Sequence, residues 1–141
     1  MRILGLDIGD RRIGVAVSDE GMLIARGLDT IQRNMDRREE KELLAVMEKF
    51  EVKRVVFGLP SDFHGNAGPQ AEKTLAFVDS IKKNTDIPFV QWDERFSTQE
   101  AERSLIDANI RREKRKMLKD KVSAILILQG YLDSLGPADR E

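Results

Sequence analysis

The sequence predicts an α/β fold in which a five-stranded mixed sheet is flanked by helices. The first 25 or so residues hold three short apolar runs separated by Gly- and Asp-containing turns, a pattern typical of antiparallel strands. From about residue 36 onward, segments with helical apolar spacing alternate with short strand-like runs, as in parallel strands joined by helical crossovers. The order β-β-β-α-β-α-β-α-α contains no repeat or linker, so residues 1–141 are expected to form one domain.

Each element has its own local signal. Three antiparallel strands are predicted over residues 2–7, 13–17 and 22–25. A helix over 36–50 follows, because apolar residues recur there every three or four positions. The later strands are predicted at 52–57 and 88–92, separated by a helix whose apolar positions are Ala71, Leu75, Val78 and Ile81.

Two further helices complete the prediction. Ser97 and Glu100 have the spacing of a capping box and open a third helix that carries Ala101, Leu105 and Ala108. The last helix is expected from about residue 113 to 135, where Gly136 and Pro137 stop it.

Composition excludes several classes of protein. The chain has no cysteine, which excludes disulfide scaffolds, thiol nucleophiles and thiolate zinc sites, and its single histidine excludes a multi-histidine metal site. No apolar run approaches the ~18 residues of a membrane span, and no charged-then-apolar leader is present. We therefore expect a soluble, cytoplasmic protein with no membrane partner.

Acidic residues follow two of the predicted central strands. Asp7 ends the first strand, and Asp93 and Glu94 end the fifth. In a parallel arrangement these carboxyl ends lie at the same edge of the sheet, where open α/β sheets place their sites. A turn-initiating role explains Asp7 equally well, because aspartate commonly begins turns.

A third acid lies on an apolar face. Asp120 falls three residues after Met117 and four before Ala124, on the stripe that the last helix is expected to bury. A buried carboxylate is costly unless it is paired or binds a metal, and an ion pair or a capping role is the alternative to a site. Asp7, Glu94 and Asp120 meeting at one edge would favour Mg²⁺ or Mn²⁺, which oxygen ligands suit. Such a cation beside a phosphate is an arrangement for phosphodiester hydrolysis.

Four motifs, LGLDIGDRRIGVAVSD, VVFGLPSDFHGNAGPQA, VQWDERFSTQEAE and KDKVSAILILQGYLDSL, resemble the YqgF family of RuvX-like bacterial proteins in order and spacing. The resemblance spans nearly the whole chain and implies an RNase H-like fold. It also implies a nuclease, described either as a Holliday-junction resolvase or as the enzyme that matures the 5′ end of pre-16S ribosomal RNA. The family's acids fall on Asp7, Glu94 and Asp120. One departure is Asp10, where Thr or Ser is more usual.

Residues 111–121 form a basic run with seven Lys or Arg and two acids, against a formal net charge of -1 for the chain. The run leads into Asp120, which favours phosphate contact over a merely solvated loop. Arg95 and Lys121 each directly follow a candidate acid, and each is a candidate either to pair with it or to bind phosphate. The candidate nucleic-acid-binding residues are Arg95, Arg111, Arg112, Lys114, Arg115, Lys116 and Lys119.

The leading function is a metal-dependent nuclease acting on structured nucleic acid, either pre-rRNA or branched DNA. A nucleotide-binding phosphotransferase also opens with Asp-x-Gly after a first strand, but it needs a second lobe that 141 residues do not supply. A non-catalytic RNA-binding module is a further alternative, which would use the basic run and not the acids. A junction resolvase would favour a two-fold homodimer, because it must cut two strands symmetrically.

Overall fold

The computed structural model describes residues 1–33, 38–59, 68–93 and 112–140, with the backbone alone for Asp93, residues 112–117 and Arg140. In chain order the elements are β1 (Arg2–Ile8), β2 (Arg12–Ser18), β3 (Ala25–Gly27), β4 (Ile31–Gln32), α1 (Arg38–Lys49), β5 (Val52–Leu59), α2 (Pro69–Lys82), β6 (Phe89–Asp93), α3 (Arg112–Asp133) and a 3₁₀ helix (Pro137–Arg140). The helix predicted after Ser97 lies outside the described residues.

The strands form one mixed sheet in the order β3-β2-β1-β5-β6, with β4 also paired to β2. β1, β2 and β3 are antiparallel neighbours, whereas β1, β5 and β6 run parallel. The predicted mixed sheet is therefore confirmed. The sixth strand escapes prediction because β4 has only two residues, which is too short for an alternating pattern.

The third strand begins later than predicted, at Ala25 and not at Met22. Met22 has a left-handed backbone, with φ of 57°, and the Asp19 carboxylate accepts hydrogen bonds from the backbone N–H groups of Leu23 and Ile24 at 2.8 and 3.1 Å. Those two bonds lower the pKa of Asp19 below its ordinary value of 3.8. Residues 22–24 therefore form a loop closed by Asp19, and their apolar side chains do not mark a strand.

Helices cover both faces of the sheet. On one face, Leu4, Leu6 and Ile8 of β1 pack in a core with buried residues of α1 and α2. On the other, Ile3 belongs to a second core that includes Leu128 and other buried residues of α3. The alternation of side chains along each strand thus separates two layers. Among the described helices, none combines the length and the hydropathy needed to cross a lipid bilayer.

Three glycines on adjacent strands allow α3 to lie close against the sheet. A Cβ atom at Gly5 of β1 would lie 2.6 Å from the Cβ of Leu128, and one at Gly27 of β3 would lie 2.7 Å from the Cγ of Lys121. The contact at Gly14 of β2 is tighter, because a Cβ there would overlap the backbone carbonyl of Asp120. The helix therefore lies so close to β1 and β2 that a side chain at Gly5 or Gly14 would displace it, whereas at Gly27 the flexible Lys121 side chain could move aside.

Replacing Gly14 with Ala should destabilise the protein by about 3 kcal/mol or more, because the new methyl group meets backbone that cannot rotate away. Urea denaturation of Gly14→Ala and the wild type measures the difference in the free energy of unfolding. The matched control is Gly21→Ala, since a Cβ at Gly21 has no heavy atom nearer than 3.5 Å. Equal midpoints for Gly14→Ala and Gly21→Ala would contradict this account of the helix packing.

Candidate active site at the carboxyl edge of the sheet

Asp7 lies near the end of β1 and on the side of the sheet that faces α3. Its strand neighbours Leu6 and Ile8 point into the core formed with α1 and α2, so alternation directs Asp7 the other way. In the antiparallel register Asp7 is opposite Gly14, a separation of about 4.5–5.5 Å between Cα atoms. The side chain is partly buried there.

Asp120 reaches the same place from α3, the helix that covers this face of the sheet. It lies in the first half of α3, and its backbone carbonyl is the group that contacts Gly14. Asp7 and Asp120 therefore both adjoin Gly14: Asp7 lies opposite it on the neighbouring strand β1, and Asp120 lies above it on α3. The structure thus brings together two of the three acids selected from the sequence, although 113 residues separate them in the chain.

Asp120 is paired in this structure, one of the possibilities that its place on a buried stripe left open. The Arg12 Nε–H donates a hydrogen bond to Asp120 Oδ2 at 2.9 Å, and the two side chains are 34% and 21% exposed. The ion pair that the sequence left open as an alternative is therefore present. Arg12 begins β2 and lies on the same face as Gly14, two residues away, which explains how it reaches α3.

The sequence pattern did not indicate that Arg12 pairs with Asp120. Lys121, which the sequence offered as a partner for Asp120, packs its Cγ and Cδ atoms over Gly27 of β3. Only the strand register could have pointed to this pair, because a register that sets Asp7 opposite Gly14 also places Arg12 on the α3 side of β2. That register follows from the strand pairing and is not visible in composition or charge.

The carboxyl ends of the parallel strands lie at one edge, as predicted. Leu6 of β1 pairs with Phe57 of β5, which in turn pairs with Gln91 of β6. Asp7 therefore lies one residue beyond this row, and Asp93, the last residue of β6, lies two beyond it. Glu94 and Arg95 come next in the chain but lie outside the described residues, so their roles stay predictions.

The basic run begins α3. Arg112, Lys114, Arg115 and Lys116 are on the first two turns of the helix by their backbone, and Lys119 follows with a partly buried side chain. Arg111 lies outside the described residues. The run therefore continues directly into the turn that carries Asp120, and its part in nucleic-acid binding stays a prediction.

Asp10, the departure from the family pattern, lies close to α2. Its carboxylate is 3.7 Å from the Lys73 Nζ and accepts a hydrogen bond from Gln70 Nε2 at 3.4 Å. Both partners belong to α2, on the opposite side of the sheet from Asp120. These contacts assign Asp10 to the α2 layer.

The two acidic residues beside Gly14 supply ligand atoms that suit a hard divalent cation. Asp7 and Asp120 supply carboxylate oxygens, the ligand type that Mg²⁺ and Mn²⁺ prefer. Arg12 occupies Oδ2 of Asp120, but an ionised carboxylate accepts about four hydrogen bonds or ligand contacts in all, so acceptor capacity is left. Within the described ranges no three acidic or histidine side chains come together; these ranges supply two of the predicted ligands, and Glu94 as the third stays a prediction.

Solved structures show the same fold. The Thermus thermophilus RuvC structure in complex with a Holliday junction substrate matches with a TM-score of 0.59 and 18% identity, over 94% of each chain. The fowlpox virus Holliday junction resolvase matches with a TM-score of 0.60 and 16% identity, over 96% of this chain and all of that one. At these identities the likeness concerns the fold, and it confirms the predicted RNase H-like class.

Sequence relatives are much closer. A Clostridium botulinum (strain Hall) protein named "Putative pre-16S rRNA nuclease" is 49% identical over 135 residues, which cover 96% of this chain and 98% of the relative. A protein of the same name from Halothermothrix orenii is 48% identical over 133 residues, 94% of this chain and 95% of the relative. The model of the family described as "RuvX: Holliday junction resolvase" matches residues 1–134. From the first strand to the end of the last long helix, this chain belongs to the RuvX family.

Proposed function

We propose that this chain is a metal-dependent nuclease that hydrolyses phosphodiester bonds in structured nucleic acid, with residues 1–141 as one nuclease domain. The observation that carries the proposal is the meeting of Asp7 and Asp120 beside Gly14, at the carboxyl edge of the sheet. Two acidic residues, one from β1 and one from α3, have their backbones held beside the same glycine, an arrangement typical of a built site. Membership of a nuclease family supports the same assignment.

The substrate we propose is the precursor of 16S ribosomal RNA. Its support is the shared name of the relatives that are 48–49% identical over almost the full length. Holliday junction DNA is the second candidate, because the family description and the titles of two structural neighbours name that substrate or activity. The two substrates imply different oligomeric states, since cleavage of a junction favours a two-fold dimer of the protein whereas cleavage at an RNA end does not.

The acids would hold the cation, and the other groups would hold the substrate. A Mg²⁺ or Mn²⁺ ion bound by Asp7, Glu94 and Asp120 would activate water and stabilise the leaving oxygen. Asp7 and Asp120 keep fixed positions in this site, because β1 and α3 hold their backbones next to Gly14. The basic residues from Arg111 to Lys119, with Arg95, would bind neighbouring phosphates and hold the scissile bond at the sheet edge.

A cleavage assay tests the proposal directly. Labelled pre-16S rRNA and a four-way DNA junction are each incubated with the protein in Mg²⁺, Mn²⁺ or EDTA. We expect cleavage of the RNA near the mature 5′ end, dependent on the metal. Cleavage of the junction alone would select the resolvase, and binding of RNA without cleavage in any metal would favour the non-catalytic module.

Replacing Asp7 with Asn should reduce cleavage at least about a hundredfold, because the amide keeps the shape but loses the charge that holds the cation. The rate is measured under single-turnover conditions in Mg²⁺, and circular dichroism checks that the fold is intact. The matched control is Asp79→Asn, an exposed aspartate on α2 in the other layer. A wild-type rate for Asp7→Asn would remove this carboxylate from the proposed site.

Replacing Arg111, Arg112, Arg115 and Lys116 with Ala should weaken binding to all sequences alike, because phosphate contacts position the substrate and do not read bases. The slope of log affinity against log salt should become shallower by about 0.7–0.9 for each phosphate that the variant no longer binds. Binding is titrated in Ca²⁺, which is expected to support binding with little cleavage.

The control for this variant removes four exposed lysines from α1 and the end of α2: Lys41, Lys49, Lys82 and Lys83. It changes the net charge equally but on the opposite layer, so its salt slope should stay near that of the wild type. Equal slopes for the two quadruple variants would show that the run at the start of α3 makes no phosphate contacts.

A further inference from the structure

We infer that Arg12 holds the Asp120 carboxylate in the cation-free protein and releases it when a divalent cation binds, so that the guanidinium becomes available to a substrate phosphate. Arg12 is then a positioning residue that couples cation binding to substrate binding. The inference rests on the proposed function, because it requires a cation at Asp7 and Asp120.

The geometry places Arg12 on a carboxylate that would also hold the cation. Its Nε–H reaches Asp120 Oδ2 at 2.9 Å, on the face of the sheet that also carries Asp7. Two carboxylates beside Gly14 repel each other, and a guanidinium offsets part of that repulsion. A divalent cation offsets it more fully, and it is itself repelled by the guanidinium.

The position of α3 does not depend on the pair. The backbone of Asp120 is already placed by its contact with Gly14, and α3 is anchored by the buried residues Ala124, Ile127, Leu128 and Leu132. Both side chains of the pair are partly exposed, at 34% and 21%, so water can solvate the two groups when they separate. Opening the pair therefore costs less than opening a fully buried one, which would leave a charge without water or a partner.

Release would turn a local acid cluster into a phosphate site. Before cation binding, Asp7, Asp120 and Arg12 together carry an excess of negative charge, which disfavours an approaching phosphate. With a divalent cation added, the same group carries an excess of positive charge. The planar guanidinium of Arg12 also matches the oxygens of a phosphate group.

The first experiment uses electron paramagnetic resonance to measure the affinity of the full chain for Mn²⁺ in the absence of nucleic acid. Arg12→Gln should bind Mn²⁺ about fivefold more tightly than the wild type, because a competing, partly screened charge is removed. Arg12→Lys keeps the charge and should stay within about twofold. The matched control is Arg11→Gln, the exposed neighbouring arginine, which should not change the affinity.

The second measurement is nucleic-acid binding to the same variants, in Ca²⁺ and in EDTA. In Ca²⁺ the salt slope of Arg12→Gln should be shallower than that of the wild type by about 0.7–0.9, the value for one phosphate contact. In EDTA the two slopes should agree, because Arg12 is then held by Asp120. A purely structural role for Arg12 would change both conditions alike.

A third measurement needs no variant. The Arg12 Nε–H resonance of the ¹⁵N-labelled wild type should shift or broaden as Mg²⁺ is added, since its hydrogen bond to Asp120 is broken. A resonance that stays unchanged through saturating Mg²⁺ would overturn the inference, as would an unchanged or weaker Mn²⁺ affinity in Arg12→Gln.

These outcomes separate the inference from the proposed function. If the wild type binds Mn²⁺ and Asp7→Asn abolishes that binding, the metal site stands whatever Arg12 does. If the wild type binds no Mn²⁺, the proposed metal site fails, and the inference about Arg12 fails with it.

Discussion

The close approach of α3 to the first three strands is the constraint on which the rest of the structure depends. Gly5, Gly14 and Gly27 provide a surface without side chains on β1, β2 and β3, and the helix lies directly on it. Any larger residue at Gly14 would displace the backbone of Asp120. The packing of one helix on one sheet therefore also decides where an acid from the end of the chain meets an acid from its beginning.

The two layers of the molecule have different tasks. The side covered by α1 and α2 is built on an apolar core that includes Leu4, Leu6 and Leu43. The side covered by α3 combines a smaller core with polar residues at the edge, where Asp7, Arg12 and Asp120 lie. Alternation along β1 and β2 makes this division possible, because each strand supplies apolar residues to both cores and adds Asp7 or Arg12 to the α3 side at the edge.

Arg12 connects the charge balance of the site with its proposed chemistry. Two neighbouring carboxylates are unfavourable without a positive charge, and the protein supplies one in the form of a partly exposed guanidinium. Because the pair is partly exposed, water can solvate the guanidinium when another cation takes its place at Asp120. An acid pair with its own displaceable counter-charge is thus compatible both with a stable cation-free protein and with metal binding.

Local pattern alone predicted most of the elements. The turns around Gly9 and Gly21, the helical spacing before Phe50 and the strand beginning at Val52 are properties of neighbouring residues, so they can be read directly from the sequence. The acids Asp7 and Asp120 were also selected in this way, from an acid at a strand end and an acid on an apolar stripe. The strand predicted over residues 22–25 begins only at Ala25, because the Asp19 carboxylate and not the apolar pattern determines the backbone of Leu23 and Ile24.

Pairing and packing determined the rest. The pairing of Asp120 with Arg12 is a contact between residues 108 positions apart in the chain. The place of Asp7 beside Asp120 depends on the register between β1 and β2. No local pattern encodes such a register or the face on which a distant helix settles. The sequence by itself determined the acids and most of the strands of this protein, and only the tertiary structure decided which of them meet, because contacts between distant residues arise from the packing of whole elements.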